Sequence, residues 1–542
     1  MNTLYKAIIV SVLLGMTAPA LADMLSSSNI PLDSPIYLYL EKLSGMGLIR
    51  SDSRGLKPFS RAEAARLTVE ATETYRSSAS HGDASAAVAK AMLKELKSQL
   101  ARELALYNND TRARLFDATP VLSARLRYVY LDGTPRSYER QANDPGNDGV
   151  FGIGQGLRPR NPYPSPVQHH GSEGTPLLEN NEGTVYSRGH NAEFRVAGEA
   201  YISRYAVGLF EPQLLYGSER HRSVATLNRA YVKLGGGALE LEVGRDSTWM
   251  GLGQRGAITL SNNARNLDML KLSSPEPFTV SWLSWLGDMK YMFLVSRLDH
   301  TVTNGKERQP YYYAVKLISK PSDNLEIGFN LGKQAGGTGL NNSLQQYVNG
   351  ILGGTSADNS NGMAGFELRY RAPWLRNTEF YAEFSGEDTA SFWPIVESYL
   401  AGFYIPMLTS DGRNDLRFEY FRGNNILYTS STMPQGYLYH DLPLGHAQGG
   451  ATEDFFVRYS HWLGVKNNIA LDYSYTTRGN FGGLPGQAVE QKHAGRVSVT
   501  VPLFERIEAQ LLYGVEGIRN VNLVLGQHRT NQLMKLELRY NY

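Results

Sequence analysis

The chain of 542 residues contains no cysteine, which excludes thiolate nucleophiles, Cys-ligated metals and disulfides together. It also lacks any apolar run long enough to span a bilayer of about 30 Å as a helix. Its mean hydropathy is −0.34. Neither sign of charge dominates: 54 Lys and Arg stand against 52 Asp and Glu, for a formal net charge of +2, so there is no electrostatic footprint for nucleic acid. G-x-S-x-G, H-E-x-x-H and EF-hand patterns are missing. G-x-G-x-x-G occurs from Gly251 to Gly256, but Ala257, Ile258, Thr259 and Leu260 follow it instead of a helix start that would hold a phosphate. These glycines read as loop turns, and the sequence predicts no catalytic residue, no metal and no cofactor.

What is present begins with an export signal. Lys6 precedes an apolar stretch from Ala7 to Met16, and Ala20, Leu21 and Ala22 form a small-x-small cleavage site. This predicts a signal peptide over 1–22 and a mature chain from about Asp23. Residues 23–110 then read as a small helical domain. Pro35, Ile36, Leu40 and Leu43 give a helix ended by Gly45 and Gly47. Ser60 and Glu63 form a capping box ahead of Ala64, Leu67 and Ala71. Val88, Met92, Leu96, Leu100 and Leu104 make the apolar stripe of a third helix. Stripes this small are expected to pack on one another and on whatever follows.

After Pro120 the apolar period changes from 3.6 to 2. Leu122, Ala124, Leu126, Tyr128 and Tyr130 share one face, with Ser123, Arg125 and Arg127 opposite. Phe366, Leu368 and Tyr370 against Glu367, Arg369 and Arg371 repeat the division. Eighteen such strands are expected, near residues 121, 190, 205, 226, 238, 278, 290, 311, 324, 363, 377, 396, 414, 453, 467, 492, 506 and 532. Nine long connections alternate with eight shorter ones, the asymmetry of bacterial outer-membrane barrels. The expected fold is therefore an all-β transmembrane barrel over 115–542, after a helical domain on the periplasmic side. Met269 to Leu272 resembles a further strand, but admitting it breaks the alternation, so 247–277 is assigned as one outer loop. The last strand sets Met534, Leu536, Leu538, Tyr540 and Tyr542 opposite Lys535, Glu537, Arg539 and Asn541, and Tyr540 and Tyr542 are the expected assembly signal. The abundant Tyr (33) and Gly (54) suit strands, turns and interfacial belts.

Arg245, Asp246, Trp249, Asn262 and Asn263 join an aromatic face to guanidinium, carboxylate and amide groups around one loop. That is the chemistry a sugar needs, and they are the candidate polysaccharide-binding residues. His169 and His170 are adjacent in a loop rich in Pro, Gly and Asn and read as solvated, and Trp282 and Trp285 read as interfacial anchors.

Two stretches resemble the Wzi family of capsule-assembly outer-membrane proteins. One runs from Ile30, Pro31, Leu32, Asp33, Ser34, Pro35 and Ile36 through Leu43, Gly47, Leu48 and Ile49 to Pro58, Phe59, Ser60, Arg61, Ala62 and Glu63. The other comprises Gly244, Arg245, Asp246, Trp249, Gly251, Leu260, Ser261, Asn263 and Ala264, with Leu270, Leu272 and Pro277 beyond. The resemblance implies an 18-stranded barrel in the bacterial outer membrane, its periplasmic mouth occluded by a helical bundle, acting as a lectin and not an enzyme. The partners implied are capsular or extracellular polysaccharide, outer-membrane lipid and the barrel-assembly machinery. Two other readings stay open: a diffusion channel, since Pro58 to Glu63 also resembles an S-layer-homology motif, and a barrel hydrolase whose Ser, His and amide cluster the sequence does not reveal.

Overall fold

The computed structural model describes residues 25–77, 84–108, 115–144, 163–219, 222–303, 305–343, 345–346, 360–390, 393–481, 484 and 486–541. The predicted signal peptide lies outside them. The segments of period two form eighteen antiparallel strands closed into one barrel: β1 Asp117–Asp132, β2 Gly189–Ile202, β3 Ala206–Gly217, β4 Arg222–Gly236, β5 Leu239–Asp246, β6 Leu267–Ser273, β7 Asp288–Arg297, β8 Lys306–Ser322, β9 Leu325–Thr338, β10 Asn361–Ala372, β11 Thr378–Ala390, β12 Trp393–Ile405, β13 Asn414–Gly423, β14 Thr452–Gly464, β15 Asn467–Arg478, β16 Glu490–Phe504, β17 Ile507–Arg519 and β18 His528–Asn541. First and last strands close it, with Ala124 opposite Tyr540 and Leu126 opposite Leu538.

Alternation decides which face each side chain takes, and here charge goes inward. Leu126, Phe210, Val232, Leu368 and Leu536 are exposed on the outer face, while Arg127, Glu193, Lys316, Glu367 and Glu537 are buried on the inner one. A water-soluble sandwich would reverse this. An outer apolar band around a charged interior is what a lipid-embedded barrel requires.

The expected strand near 278 is absent, and the segment rejected as a strand is β6. In its place Ser281–Leu286 forms a 3-10 turn. The two substitute for each other, so the count of eighteen survives; the expected outer loop 247–277 shortens to 247–266, and the long–short alternation breaks locally at the 274–287 connection. The physical reason lies in pairing: inward Lys271 on β6 stands opposite Glu242 and makes a 2.7 Å ion pair with it. Trp282 and Trp285 instead stand on this turn, 60% and 71% exposed, the exposure that an interfacial aromatic anchor has. The connections at one end of the barrel include the longest, 133–188, 247–266, 339–360 and 424–451, and those at the other end are short except for 274–287.

Four helices precede the barrel: α1 Pro35–Gly45, α2 Arg61–Ser77, α3 Ala84–Gln99 and α4 Ala101–Tyr107. Pro35 starts α1 and the Ser34 hydroxyl caps it, accepting from Ile36 N at 3.3 Å. For α2 half of the expected capping box forms. Ser60 Oγ accepts from Glu63 N at 3.1 Å, but the Glu63 carboxylate turns to Arg66 at 2.7 Å, because in this enclosed place a guanidinium is a stronger partner than a peptide N–H. The single third helix expected from the stripe breaks at Leu100, whose φ of −113° separates α3 from α4. Leu40, Leu43, Leu67, Met92, Leu96 and Leu100 share a core with Trp462 of the barrel wall.

That shared core places the helices in the mouth bounded by the short turns. Lys42 Nζ meets Asp415 at 3.0 Å, and Trp462 Nε1 donates to the same carboxylate at 2.6 Å. Arg54 pairs with Glu379 at 2.7 Å, Arg369 with Asp52 at 3.3 Å, and Arg371 donates to Ser44 O at 2.9 Å and Ile49 O at 2.8 Å. Asp415→Ala strands a buried ammonium and an indole N–H. We expect a loss of about 3–5 kcal/mol in the seating of the helices, read as faster proteolysis within 35–107 while the barrel stays heat-modifiable.

Candidate functional site

At the long-loop end the connections turn inward and interlock by backbone hydrogen bonds. Leu56 and Lys57, between α1 and α2, pair with Met250 and Trp249 in a two-stranded sheet inside the lumen. Met250 N donates to Leu260 O at 2.8 Å, Ser261 N to Leu444 O at 2.8 Å, and Ser172 N to Asp441 O at 3.1 Å. One hydrogen-bonded run therefore joins the N-terminal segment to the loops 247–266, 424–451 and 133–188. Around it Ile258, Tyr312, Tyr428, Tyr437 and Leu444 form a buried apolar cluster. Gly256 is required here: a Cβ would stand 2.2 Å from the His446 ring, which stacks on Phe421 at 3.7 Å. Burial pushes the His446 pKa down to about 4, so the ring is neutral at physiological pH.

Below this packed cap lies a cavity of about 370 Å³. It runs between α1 and the wall strands, from Val465 and Lys466 in a short turn up to Leu178, Glu179 and Arg255 beneath the cap. Ion pairs close its upper end. Glu179 holds Arg496 at 3.0 Å and Arg255 at 3.3 Å, Arg255 reaches Asp454 at 2.5 Å, and Arg496 reaches Asp472 at 2.9 Å. Burial alone would raise the Glu179 pKa, but Arg255 and Arg496 outweigh it and hold the carboxyl well below the usual carboxylate range. Lys57 Nζ lies 5.8 Å from the ring centroid of Tyr37 and 5.6 Å from that of Trp249, and burial lowers its pKa to about 8.

Residues 158–533, more than half of the chain, match the family described as capsule assembly protein Wzi. The chain belongs to the Wzi family. Escherichia coli Wzi, an outer-membrane protein involved in group 1 capsule assembly and a carbohydrate-binding β-barrel, matches with a TM-score of 0.66 at 15% identity, over 95% of this chain and 100% of that one. At that identity the likeness establishes the fold. Pseudomonas aeruginosa OccK5 (OpdH) and OccK8 (OprE) each give a TM-score of 0.43, at 11% and 10% identity, over 78% of this chain and 97% and 98% of theirs. The comparison with curated proteins found no match.

Within this Wzi-family barrel the five candidate sugar-binding residues are dispersed. Arg245 faces outward and pairs with Asp268 at 2.5 Å. Its neighbour Asp246 faces inward and accepts from Asn29 Nδ2 at 2.7 Å, since adjacent strand residues point to opposite faces. Asn263 ties the loop to Pro443 O at 3.1 Å. Trp249, whose Nε1 donates to Gly251 O at 3.2 Å, and Asn262 both line the cavity. Asn262 Oδ1 is buried with no hydrogen-bond partner among the described residues. Tyr540 sits on the outer face in register with Ile507, and Tyr542 lies outside the described residues. The expectation of two solvated histidines fails for His169, which is buried with Nε2 2.6 Å from Asn425 O; His170 pairs with Glu139 at 2.8 Å. No cluster of three metal-ligating side chains occurs among the described residues.

Lys57, Glu179 and Arg255 were not singled out by the sequence. Arg255 stood inside the glycine motif, and nothing in local periodicity marks a loop that folds into a lumen. The stability that Glu179 supplies as a depressed carboxylate is present above its unfolded pKa and lost only as pH falls through the lower folded one. Wild-type cap closure is therefore expected to persist to about pH 4. Glu179→Ala leaves each guanidinium one remaining carboxylate, and a cost of about 1–3 kcal/mol is expected, seen as protease cutting in 163–188 on intact cells. Unchanged resistance there would contradict a closing role.

Proposed function

We propose that this protein is a non-enzymatic outer-membrane barrel that binds capsular or extracellular polysaccharide on its cap of long loops and attaches it to the cell surface. The observation that carries this reading is a lumen occupied from both ends, by helices at the short-turn mouth and by interlocked loops at the other. Such a barrel offers surface for holding a ligand. An open channel, the rival reading, would need a continuous water path. Family membership supports the choice, as does the carbohydrate binding of Escherichia coli Wzi, whose whole length is matched.

Bacterial barrels keep short turns in the periplasm and long loops outside. On that basis residues 23–110 form a periplasmic helical bundle following the signal peptide, and 115–542 form the membrane barrel. The outer aromatic face ending in Tyr540 and Tyr542 is the feature offered to lipid and to the assembly machinery. Asn263 then acts by holding the loop 247–266 against Pro443, Arg245 ties β5 to β6 and Asp246 holds Asn29 of the N-terminal segment, while Trp249 and Asn262 face the luminal cavity. On the cap, Glu139 with His170, Asp299 with His440, and Asn480 with Glu453 present carboxylate, imidazole and amide groups near solvent, suited to sugar hydroxyls.

A long repetitive glycan is held by many weak contacts, so each substitution costs only about 1–3 kcal/mol at its site and their effects multiply along the polymer. Deleting the gene should shed surface polysaccharide into the medium. Wild-type protein should restore retention, and a folded variant with Glu139→Ala, His170→Ala, His440→Ala and Asn480→Ala should not. Full retention by that variant would remove the cap assignment, and no shedding on deletion would remove the function.

A further inference from the structure

The luminal cavity carries a charge imbalance: eleven Lys and Arg side chains line it against nine Asp and Glu. Most of the buried cations in this barrel have a carboxylate in contact, and Arg371, which has none, is met by the carbonyl oxygens of Ser44 and Ile49; half-buried Lys57 has neither kind of partner among the described residues. Among the described residues no carboxylate forms an ion pair with its Nζ. Glu41, the acidic group acting on it most strongly, is already held by Arg417 at 2.6 Å and Arg54 at 2.9 Å. An enclosed ammonium without a counter-ion is costly, and a Met at this position would pack without that cost. Two further groups in the cavity wall are left unsatisfied: Asn180 Oδ1 and Asn262 Oδ1 are buried without hydrogen-bond partners among the described residues.

We infer that this cavity is a binding site for an acidic saccharide of one or two sugar rings, whose carboxylate pairs with the Lys57 ammonium. The inference rests on the polysaccharide-binding reading and assigns it a second, internal site. Half-buried Tyr37, beside the ammonium, offers apolar ring surface to the sugar, with the buried Trp249 ring on the ammonium's other side. A volume of about 370 Å³ falls in the range of small-ligand pockets. Entry is from the short-turn mouth, where the cavity reaches Lys466, a side chain 23% exposed and paired with Glu95 of α3.

The groups facing Lys57 are Glu41 of α1, Arg54, and Arg417 and Glu419 of β13. With its pKa near 8, Lys57 is charged at neutral pH and loses its proton as pH rises past that point. An anionic ligand binds the protonated form, so affinity falls as pH increases through that region, and a neutral sugar shows no such dependence.

The test is calorimetric titration of the full-length protein in detergent with digalacturonic acid, cellobiose and inorganic phosphate, for wild type, Lys57→Met and Lys57→Arg. Lys57→Met orphans no carboxylate, so its barrel should remain heat-modifiable. The expected result is that digalacturonate binds at least about tenfold more tightly than cellobiose, weakens by about tenfold in Lys57→Met, and recovers in Lys57→Arg. Equal binding of the neutral disaccharide, or unchanged binding by Lys57→Met, overturns the inference. So does phosphate binding as tightly as digalacturonate, which would make this a free-anion site. Whole-cell retention separates the two readings: Lys57→Met that keeps surface polysaccharide but loses digalacturonate affects the internal site alone, whereas cap variants that shed polysaccharide yet bind digalacturonate report on the cap alone.

Discussion

The arrangement follows from one requirement: a charge that points into the lumen must find an opposite charge there. Lipid outside forces the apolar face outward, so alternation drives Arg, Lys, Asp and Glu inward along every strand. Left unpaired in a confined interior, each would cost more than any single contact returns. Neighbouring strands meet part of the need, as between Lys271 and Glu242 at 2.7 Å. The rest is met by chain that is not part of the wall. Asp52 and Arg54 from the N-terminal segment answer Arg369 and Glu379, and Glu179 and Arg255 from the loops answer Arg496 and Asp454. The lumen is filled because its wall is charged.

Filling from both ends has a mechanical consequence. Leu56 and Lys57 reach far enough to pair with Met250 and Trp249, and the hydrogen-bonded run continues through Ser261 and Leu444 to Ser172. The helices and the cap thus share one backbone network inside the wall. A cap held this way is preorganised, and a preorganised surface loses less entropy on binding a polymer than free loops would. The same network leaves the cavity around Lys57 as the space that neither end fills.

Much of this was legible in the sequence where one period operates over many residues. The last strand, from Met534 to Tyr540, and the faces of Leu126 and Arg127 follow from alternation alone, and α1 follows from Ser34, Pro35 and its apolar spacing. The errors fall where local pattern is ambiguous or overruled by distant partners. Leu267–Ser273 and the segment near 278 both looked like strands, and only the contact of Lys271 with Glu242 decides between them. Glu63 has the spacing of a capping box, but Arg66 takes its carboxylate. Trp249 and Asn262 shared a loop with Arg245 and Asp246 in sequence, and the inward fold of that loop separated them. Lys57 carried no signal, because its significance is the absence of a partner, which only the assembled lumen reveals.

A barrel filled from both ends should hold a ligand and not conduct ions. Planar-bilayer recording of the intact protein tests it most directly, with a form lacking residues 29–108 as the comparison. The intact protein is expected to show no stepwise conductance at neutral pH, and the truncated form to pass current once the short-turn mouth is vacated. Steady porin-like conductance from the intact protein would contradict it.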